Sequence, residues 1–170
     1  MAELRLSGVV RESIVDGPGI RFSVFAQGCP HACEGCHNPQ THSTDGGYLT
    51  DTQKLLAEID RDPLLDGITL SGGEPFEQAE ALAELARRVQ ERGLGVIVYT
   101  GYTVEELLEG VSERPGWQEL LEETDILVDG RFEKEEMDLM LRFRGSKNQR
   151  VLDPAASLRE ERAVLTEWRL

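Results

Sequence analysis

Four short, almost continuously apolar runs constrain the fold of this chain more than any other feature of its sequence. The runs are IRFSVFAQG from Ile20, GITLSGG from Gly67, LGVIVYTG from Leu94 and DILVDG from Asp125. They are rich in β-branched residues and do not alternate between apolar and polar residues, as a strand with one solvent-exposed face would. A continuous apolar run is typical of strands covered on both faces in a parallel sheet. After the second run, successive runs start about 30 residues apart, the usual length of a βαβ unit.

Helical patterns separate these runs. The first predicted helix is TDTQKLLAEIDR, which opens on a Thr/Asp cap candidate. The second is predicted to begin near Pro75 and to end at Gly93. Two further helical segments, TVEELLEG and GWQELLEE, follow along the chain. The alternation predicts a repeated α/β architecture. A closed eight-unit β/α barrel takes about 250 residues, so this chain has room for about five or six units. We therefore expect a partial, open β/α barrel.

The rest of the chain supports one domain over residues 1–170. No internal repeat or low-complexity segment divides the 170 residues. The stretch after Gly130 is less regular, with a strand expected near Leu141–Arg144, and the tail from Asp153 has no clear assignment. A single compact domain of this length can bury a sufficient core.

Charge and segment composition limit the partners and the compartment. With 32 acidic and 18 basic side chains the chain carries a net charge of −14, which disfavours general nucleic-acid binding because that needs cationic surface. The N-terminus has no basic start followed by an apolar stretch, and no run approaches the roughly 20 residues of a membrane span. We expect a cytoplasmic protein with no membrane partner, whose thiols are reduced.

All three cysteines of the chain, Cys29, Cys33 and Cys36, lie in one loop, GCPHACEGCHNPQT. Ordinary buried cysteines would rarely cluster in this way, and a disulfide would leave one thiol over. Zinc held by three cysteines and one of the nearby histidines is one alternative. The other is a [4Fe–4S] cluster, which normally takes four thiolates, so that three would leave one iron open to a substrate. The histidines in question are His31, His37 and His42.

A second motif, SGGEP, ends the second apolar run at Ser71 to Pro75. A plain strand-to-helix turn would explain its shape, since glycines suit turns and proline suits helix starts. However, the motif falls at the carboxyl end of a strand, where β/α barrels place their sites. Gly72 and Gly73 allow backbone to approach a ligand, and Glu74 can accept hydrogen bonds from an ammonium group.

CxxxCxxC followed by GGE at the next strand resembles the radical S-adenosylmethionine (SAM) enzymes, although this chain has Gly35 where those enzymes usually carry an aromatic residue. The resemblance implies a radical SAM core with two cofactors, a [4Fe–4S] cluster held by the three cysteines and SAM. It also implies SAM contacts around the third cysteine, at the GGE motif and at two later strand ends. These SAM-contact candidates are Gly35, Cys36, His37, Gly72, Gly73, Glu74, Thr100 and Asp129.

A longer match extends over roughly Asp16 to Asp153. The segments DGPGIRFSVFAQGCPHACEGCHN, VYTGY, ILVDGRF and LRFRGSKNQRV resemble the activating enzymes of glycyl radical enzymes, in particular those of anaerobic (class III) ribonucleoside-triphosphate reductase. The resemblance implies cleavage of SAM to methionine and a 5′-deoxyadenosyl radical, which takes hydrogen from a glycine of the reductase, with a one-electron donor such as flavodoxin.

Three alternatives remain at this point. The chain could activate another glycyl radical enzyme, of the pyruvate formate-lyase type, or act on a metabolite as a small radical SAM enzyme. In a different class, it could be a non-catalytic zinc-binding module. Metal and sulfide analysis separates the last alternative from the others.

The segment RFRGSKNQR concentrates cations in an acidic chain. Charge runs are usually solvated surface, but this one is interleaved with small polar residues, which favours recognition of an anion. The anion would be the carboxylate of SAM or an acidic patch on the reductase. The candidate residues are Arg142, Arg144, Lys147 and Arg150.

Overall fold

The computed structural model describes residues 2–36 and 39–169. Its β-strands are β1 (Glu3–Ser13), β2 (Arg21–Ala26), β3 (Tyr48–Asp51), β4 (Gly67–Gly72), β5 (Gly95–Tyr99), β6 (Ile126–Asp129) and β7 (Arg150–Leu152). Its α-helices are α1 (Thr52–Asp60), α2 (Ala79–Glu91), α3 (Val104–Gly110), α4 (Trp117–Glu122) and α5 (Pro154–Glu160). Short 3₁₀ turns occupy Pro39–Thr41, Pro75–Gln78 and Lys134–Glu136.

The strands form one open seven-stranded sheet in the order β3-β1-β2-β4-β5-β6-β7. The four predicted strands are β2, β4, β5 and β6, and they pair in parallel as the apolar runs indicated. Antiparallel strands extend the sheet on both sides, with β1 and β3 at one edge and β7 at the other. The α/β class and the open, incomplete barrel are therefore confirmed.

The two faces of the parallel strands differ in polarity. Side chains alternate between the faces along a strand, so Phe22 and Val24 point toward the helices while Arg21 and Ser23 point to the opposite, concave face. The helix-facing set joins one apolar core with the buried face of α2. On the concave face, Arg21 is 1% exposed, and its guanidinium donates to Thr69 Oγ1 at 2.9 Å and to the carbonyl of Ile68 at 2.8 Å.

Helix ends follow the predicted signals. Asp51 caps α1 by accepting from the backbone N–H of Lys54 at 2.9 Å. The helical region from Pro75 runs to Glu91, and Gly93 just beyond it adopts a left-handed φ of 76°. Thr103 and Glu106 form a reciprocal capping box at the start of α3.

The strand predicted near Leu141–Arg144 is wrong. This stretch is a series of bends, and Leu141 and Phe143 line a cavity together with Arg144, so the two apolar side chains belong to a cavity wall and not to a sheet. The nearest strand is β7, which is followed by α5. Within the described residues, no helix combines the length and apolar character needed to cross a bilayer.

Candidate functional site

A cavity of about 400 Å³ lies at the carboxyl ends of the parallel strands. Several parts of the chain meet at this cavity. They include the cysteine loop after β2, the glycine turn after β4, the end of β5 and the connection between β6 and β7. Of the candidate residues, the cavity is lined by Cys29, Cys33, Cys36, Gly72, Gly73, Thr100 and Arg144.

The cysteine loop and the GGE turn meet because β2 and β4 are parallel neighbours, with Ala26 opposite Gly72. The backbone N–H of Gly73 donates to the Ala26 carbonyl at 2.7 Å, and that of Glu74 donates to the Gly28 carbonyl at 2.8 Å. Gly72 has a φ of 93°, and a Cβ on Gly73 would lie 2.4 Å from the oxygen of Gly28. The glycines are thus required for the two loops to touch.

The cysteine thiols fit a thiolate-held cluster. They form no disulfide with one another, and all three line the cavity. Burial raises the pKa of Cys29 and of Cys33, and a bound metal would reverse this effect because it deprotonates a coordinating thiol. Among the described residues, no three His, Cys, Asp or Glu side chains surround one position for a single metal ion. Three soft donors facing one cavity suit an iron–sulfur cluster.

Glu74 does not line this cavity. Its side chain is fully buried and its carboxylate is occupied on both oxygens. Oε1 lies 2.6 Å from Nε2 of His31 and accepts from the Thr100 hydroxyl at 2.9 Å and from the Gly101 N–H at 2.8 Å. Oε2 accepts from the Phe76 N–H at 2.9 Å. Glu74 therefore fixes three residues of the cavity wall from behind.

His31 is a site residue whose contacts sequence reasoning missed. Its side chain is 4% exposed, its Nε2 is directed at Glu74, and its ring packs edge-on against Tyr102 at 4.6 Å between centroids. A Cβ on Gly101 would lie 2.4 Å from the His31 ring, so the glycine makes room for it. The available signal was a histidine inside the cysteine loop, but its partner is 43 residues away in the sequence.

Asp129 also lies outside the cavity lining, although it ends β6 at the same edge of the sheet. It is buried, accepts from the Val104 N–H at 2.8 Å and forms an ion pair with Arg150 at 2.5 Å. Arg150 also pairs with Glu105 at 2.6 Å, and the two carboxylates raise the pKa of its guanidinium. This pair connects β6, β7 and the start of α3.

The other three cations have different surroundings. Arg144 lines the cavity, donates to the Gln149 carbonyl at 2.6 Å, and has a buried Nε–H with no partner among the described atoms. Arg142 is exposed, with its guanidinium over the Phe143 ring at 5.1 Å. Lys147 is exposed, and no ion pair between described residues involves it or Arg142.

Two of the predicted SAM contacts are placed less directly. Gly35 lies beside the cavity, where a Cβ would contact the Phe132 ring at 3.4 Å. His37 is outside the described residues. Phe132, Tyr99 and Phe143 line the cavity but were not predicted as site residues, although the sequence VYTGY contains one of them and ILVDGRF another.

Comparisons with known proteins identify the family. Residues 15–152 match the family described as a 4Fe-4S single cluster domain. The chain is 37% identical over 145 residues to an anaerobic ribonucleoside-triphosphate reductase-activating protein of Vibrio cholerae, covering 80% of this chain and 89% of that protein. It is 34% identical over 143 residues to the protein of the same name from Enterobacteria phage T4, covering 81% and 86%.

Among solved structures, QueE from Escherichia coli aligns with a TM-score of 0.48 at 18% identity, over 59% of this chain and 53% of that one. The sequence matches are far more extensive. The chain belongs to the 4Fe-4S single cluster domain family and, within it, to the anaerobic ribonucleoside-triphosphate reductase-activating proteins.

Proposed function

We propose that this chain, acting as a single domain over residues 1–170, activates anaerobic ribonucleoside-triphosphate reductase by generating a glycyl radical in it. The observation that carries this proposal is the meeting of three cysteines with the GGE turn at one cavity. Family membership gives the same function, because the curated relatives are named as activating proteins of that reductase.

Cys29, Cys33 and Cys36 would hold three irons of a [4Fe–4S] cluster, and the iron without a protein ligand would be available to SAM. When bound, the cluster supplies the electron that splits SAM into methionine and a 5′-deoxyadenosyl radical. We assign the supply of that electron to an external one-electron donor such as a flavodoxin. In this mechanism no side chain of the chain has to act as a general base.

The chain's own residues position SAM and shape its site. We assign the contacts to SAM to the backbone of Gly72 and Gly73, to Thr100, and to the loop from Gly35 through His37. Arg144 supplies a cation in the cavity for the carboxylate of SAM, and its unpartnered Nε–H supports this assignment.

Two acidic candidates serve the site indirectly in this proposal. Glu74 acts through Thr100, Gly101 and His31, because its oxygens are already occupied by donors. Asp129 acts by holding the start of α3 and by neutralising Arg150. Preorganised walls of this kind keep the reacting groups in place without rearrangement during the reaction.

A protein substrate fits the architecture. The glycine Cα must come to about van der Waals distance, roughly 4 Å, from the reacting carbon, so a loop of the reductase has to enter the cavity. Because the sheet does not close into a barrel, one side is available for that loop. Tyr99, Phe132 and Phe143 provide aromatic walls that restrict water around the radical.

Electron paramagnetic resonance tests the proposal. Anoxically prepared and reduced protein, mixed with SAM and the anaerobic reductase, should give the doublet of a glycyl radical in the reductase. Cleavage of SAM without that doublet would point to another glycyl radical enzyme or to a metabolite as substrate. Stoichiometric zinc, with neither iron nor acid-labile sulfide, would refute the radical mechanism and support the zinc-binding alternative.

A further inference from the structure

Large apolar side chains are exposed on two loops of this chain. Ile14 and Val15, in the connection between β1 and β2, are each 72% exposed, and Leu139 and Met140, in the connection between β6 and β7, are 86% and 91% exposed. Among the described residues Leu165, at 70%, is nearly as exposed, but it lies near the end of the chain and outside these two loops. Single exposed apolar residues are ordinary, whereas clusters of them mark interaction sites.

Both loops reach the candidate active site. Val15 itself lines the cavity, and so does Leu141, which directly follows the second exposed pair. Leu139 and Met140 occupy the tip of a turn in which the Leu141 N–H donates to the Asp138 carbonyl at 3.3 Å and the Met140 N–H donates to Asp138 Oδ1 at 2.9 Å. The exposed side chains therefore lie next to the cavity.

The bases of the two loops are anchored by hydrogen bonds to strands of the parallel sheet. The Tyr99 hydroxyl, at the end of β5, donates to the Phe143 carbonyl at 2.7 Å. In the first loop, the backbone carbonyl of Asp16 accepts from the hydroxyl of Thr69, in β4, at 2.7 Å. Asp16 in turn accepts from the hydroxyls of Ser13 at 2.5 Å and Ser23 at 3.0 Å. The exposed residues of both loops therefore lie next to segments that hydrogen bonds hold in place.

We propose that the apolar rim, defined as Ile14, Val15, Leu139 and Met140, is the docking surface for the glycine-bearing loop of the reductase. This proposal rests on the proposed function, since hydrogen can be taken from a glycine only if the glycine enters the cavity. The residues on either side of that glycine must then cross the rim. The rim selects an extended segment with apolar side chains flanking the glycine, which itself has no side chain to obstruct entry.

Charge disfavours two other occupants of the rim, a second copy of the chain and an anionic membrane. With a net charge of −14, two copies of this chain repel each other, and the chain is also repelled by an anionic membrane. The exposed cations Arg142 and Lys147 lie on the loop that carries half of the rim. They can attract acidic groups of the reductase beside the glycine loop and steer its approach.

The test compares rim variants with a matched control. The double variant Leu139→Ser/Met140→Ser and the single variant Ile14→Ser remove apolar surface without touching the cavity lining. Leu64→Ser is the control, because Leu64 is 63% exposed, precedes β4 and lies outside the cavity lining. Binding of the intact reductase to anoxic holoprotein is measured by titration calorimetry, together with iron content, SAM affinity and glycyl radical yield.

The double variant should bind the reductase about 10-fold to 100-fold more weakly, as expected when two interface anchors are truncated. The glycyl radical yield at subsaturating reductase should fall with it, while iron content and SAM affinity stay at the wild-type level. Leu64→Ser should match the wild type throughout. Equal binding of the reductase by the double variant and the wild type would overturn the proposal.

Further outcomes separate this proposal from the function on which it rests. If the wild type binds the reductase but yields no glycyl radical, the proposed function fails, and the binding data alone still decide the role of the rim. If the wild type does not bind the reductase, the rim proposal is wrong. The remaining case is that the rim binds a second copy of this chain, which sedimentation of the holoprotein tests. If the wild type self-associates and the double variant does not, the rim binds a second copy and the proposal is overturned.

Discussion

Replacing Glu74 by glutamine tests whether this buried carboxylate organises the cavity wall. Glutamine has nearly the same volume but exchanges one acceptor oxygen for an NH₂ donor. Oε1 accepts from the backbone N–H of Gly101 and Oε2 from that of Phe76. Whichever side the amide nitrogen takes, it therefore faces a backbone donor, and one buried N–H loses its acceptor.

The size of the effect follows from these contacts. A buried donor left without a partner costs about 1–3 kcal/mol, and weaker hydrogen bonds from His31 and Thr100 to a neutral group add to that cost. A total of about 3 kcal/mol would lower the unfolding temperature of a chain this long by about 6–12 °C, since about 2–4 °C corresponds to 1 kcal/mol at this size. That is a large share of a typical 5–15 kcal/mol stability.

Thermal unfolding, followed by circular dichroism under identical anoxic conditions, measures the shift. Glu109→Gln is the matched control, because it makes the same change at an exposed side chain of α3. A substitution at such a surface position is expected to change the stability by at most about 0.5 kcal/mol. Equal midpoints for the two variants would refute the argument. In a cycle with His31→Ala, the two losses should be less than additive, because the residues share one contact.

Three further predictions follow from the site and its surroundings. Gly101→Ala should destabilise the chain by about 1–3 kcal/mol because its Cβ would displace the His31 ring, whereas Gly8→Ala, with open space around its Cβ, should have little effect; urea unfolding of both variants checks this. Alanine at any one of the three cysteines should sharply reduce the iron and acid-labile sulfide retained per chain, and full retention in all three variants would exclude them as cluster ligands. Arg131 lowers the pKa of Glu106 from 4.5 to about 2. The ion pair between the two side chains therefore stabilises the fold above pH 4.5, and this stabilisation is lost as the pH falls toward 2. Glu106→Gln should therefore flatten the dependence of the unfolding midpoint on pH in that window, and an unchanged slope would count against the ion pair.

The parallel strands could be predicted because burial on both faces leaves a continuous apolar run. The same rule explains the strands that were missed. β1 alternates buried and exposed residues at its start and carries charges and a glycine, as suits an edge region with one wet face. β7 has only three residues and pairs through its backbone with β6. Leu141 and Phe143 misled the prediction, because their apolar side chains line the cavity and do not belong to a sheet.

The candidate site was predictable to the extent that topology determines it. Two motifs that end neighbouring parallel strands must lie side by side, so the cysteine loop and the GGE turn could be brought together from their order in the sequence. The direction in which a side chain points is not fixed in this way. The sequence alone could not show that the carboxylate of Glu74 lies against His31 and Thr100, because a buried carboxylate takes its donors from whichever neighbouring loops supply them. This motif carboxylate therefore contributes to the site by stabilising the wall, and the Glu74→Gln variant measures that contribution directly.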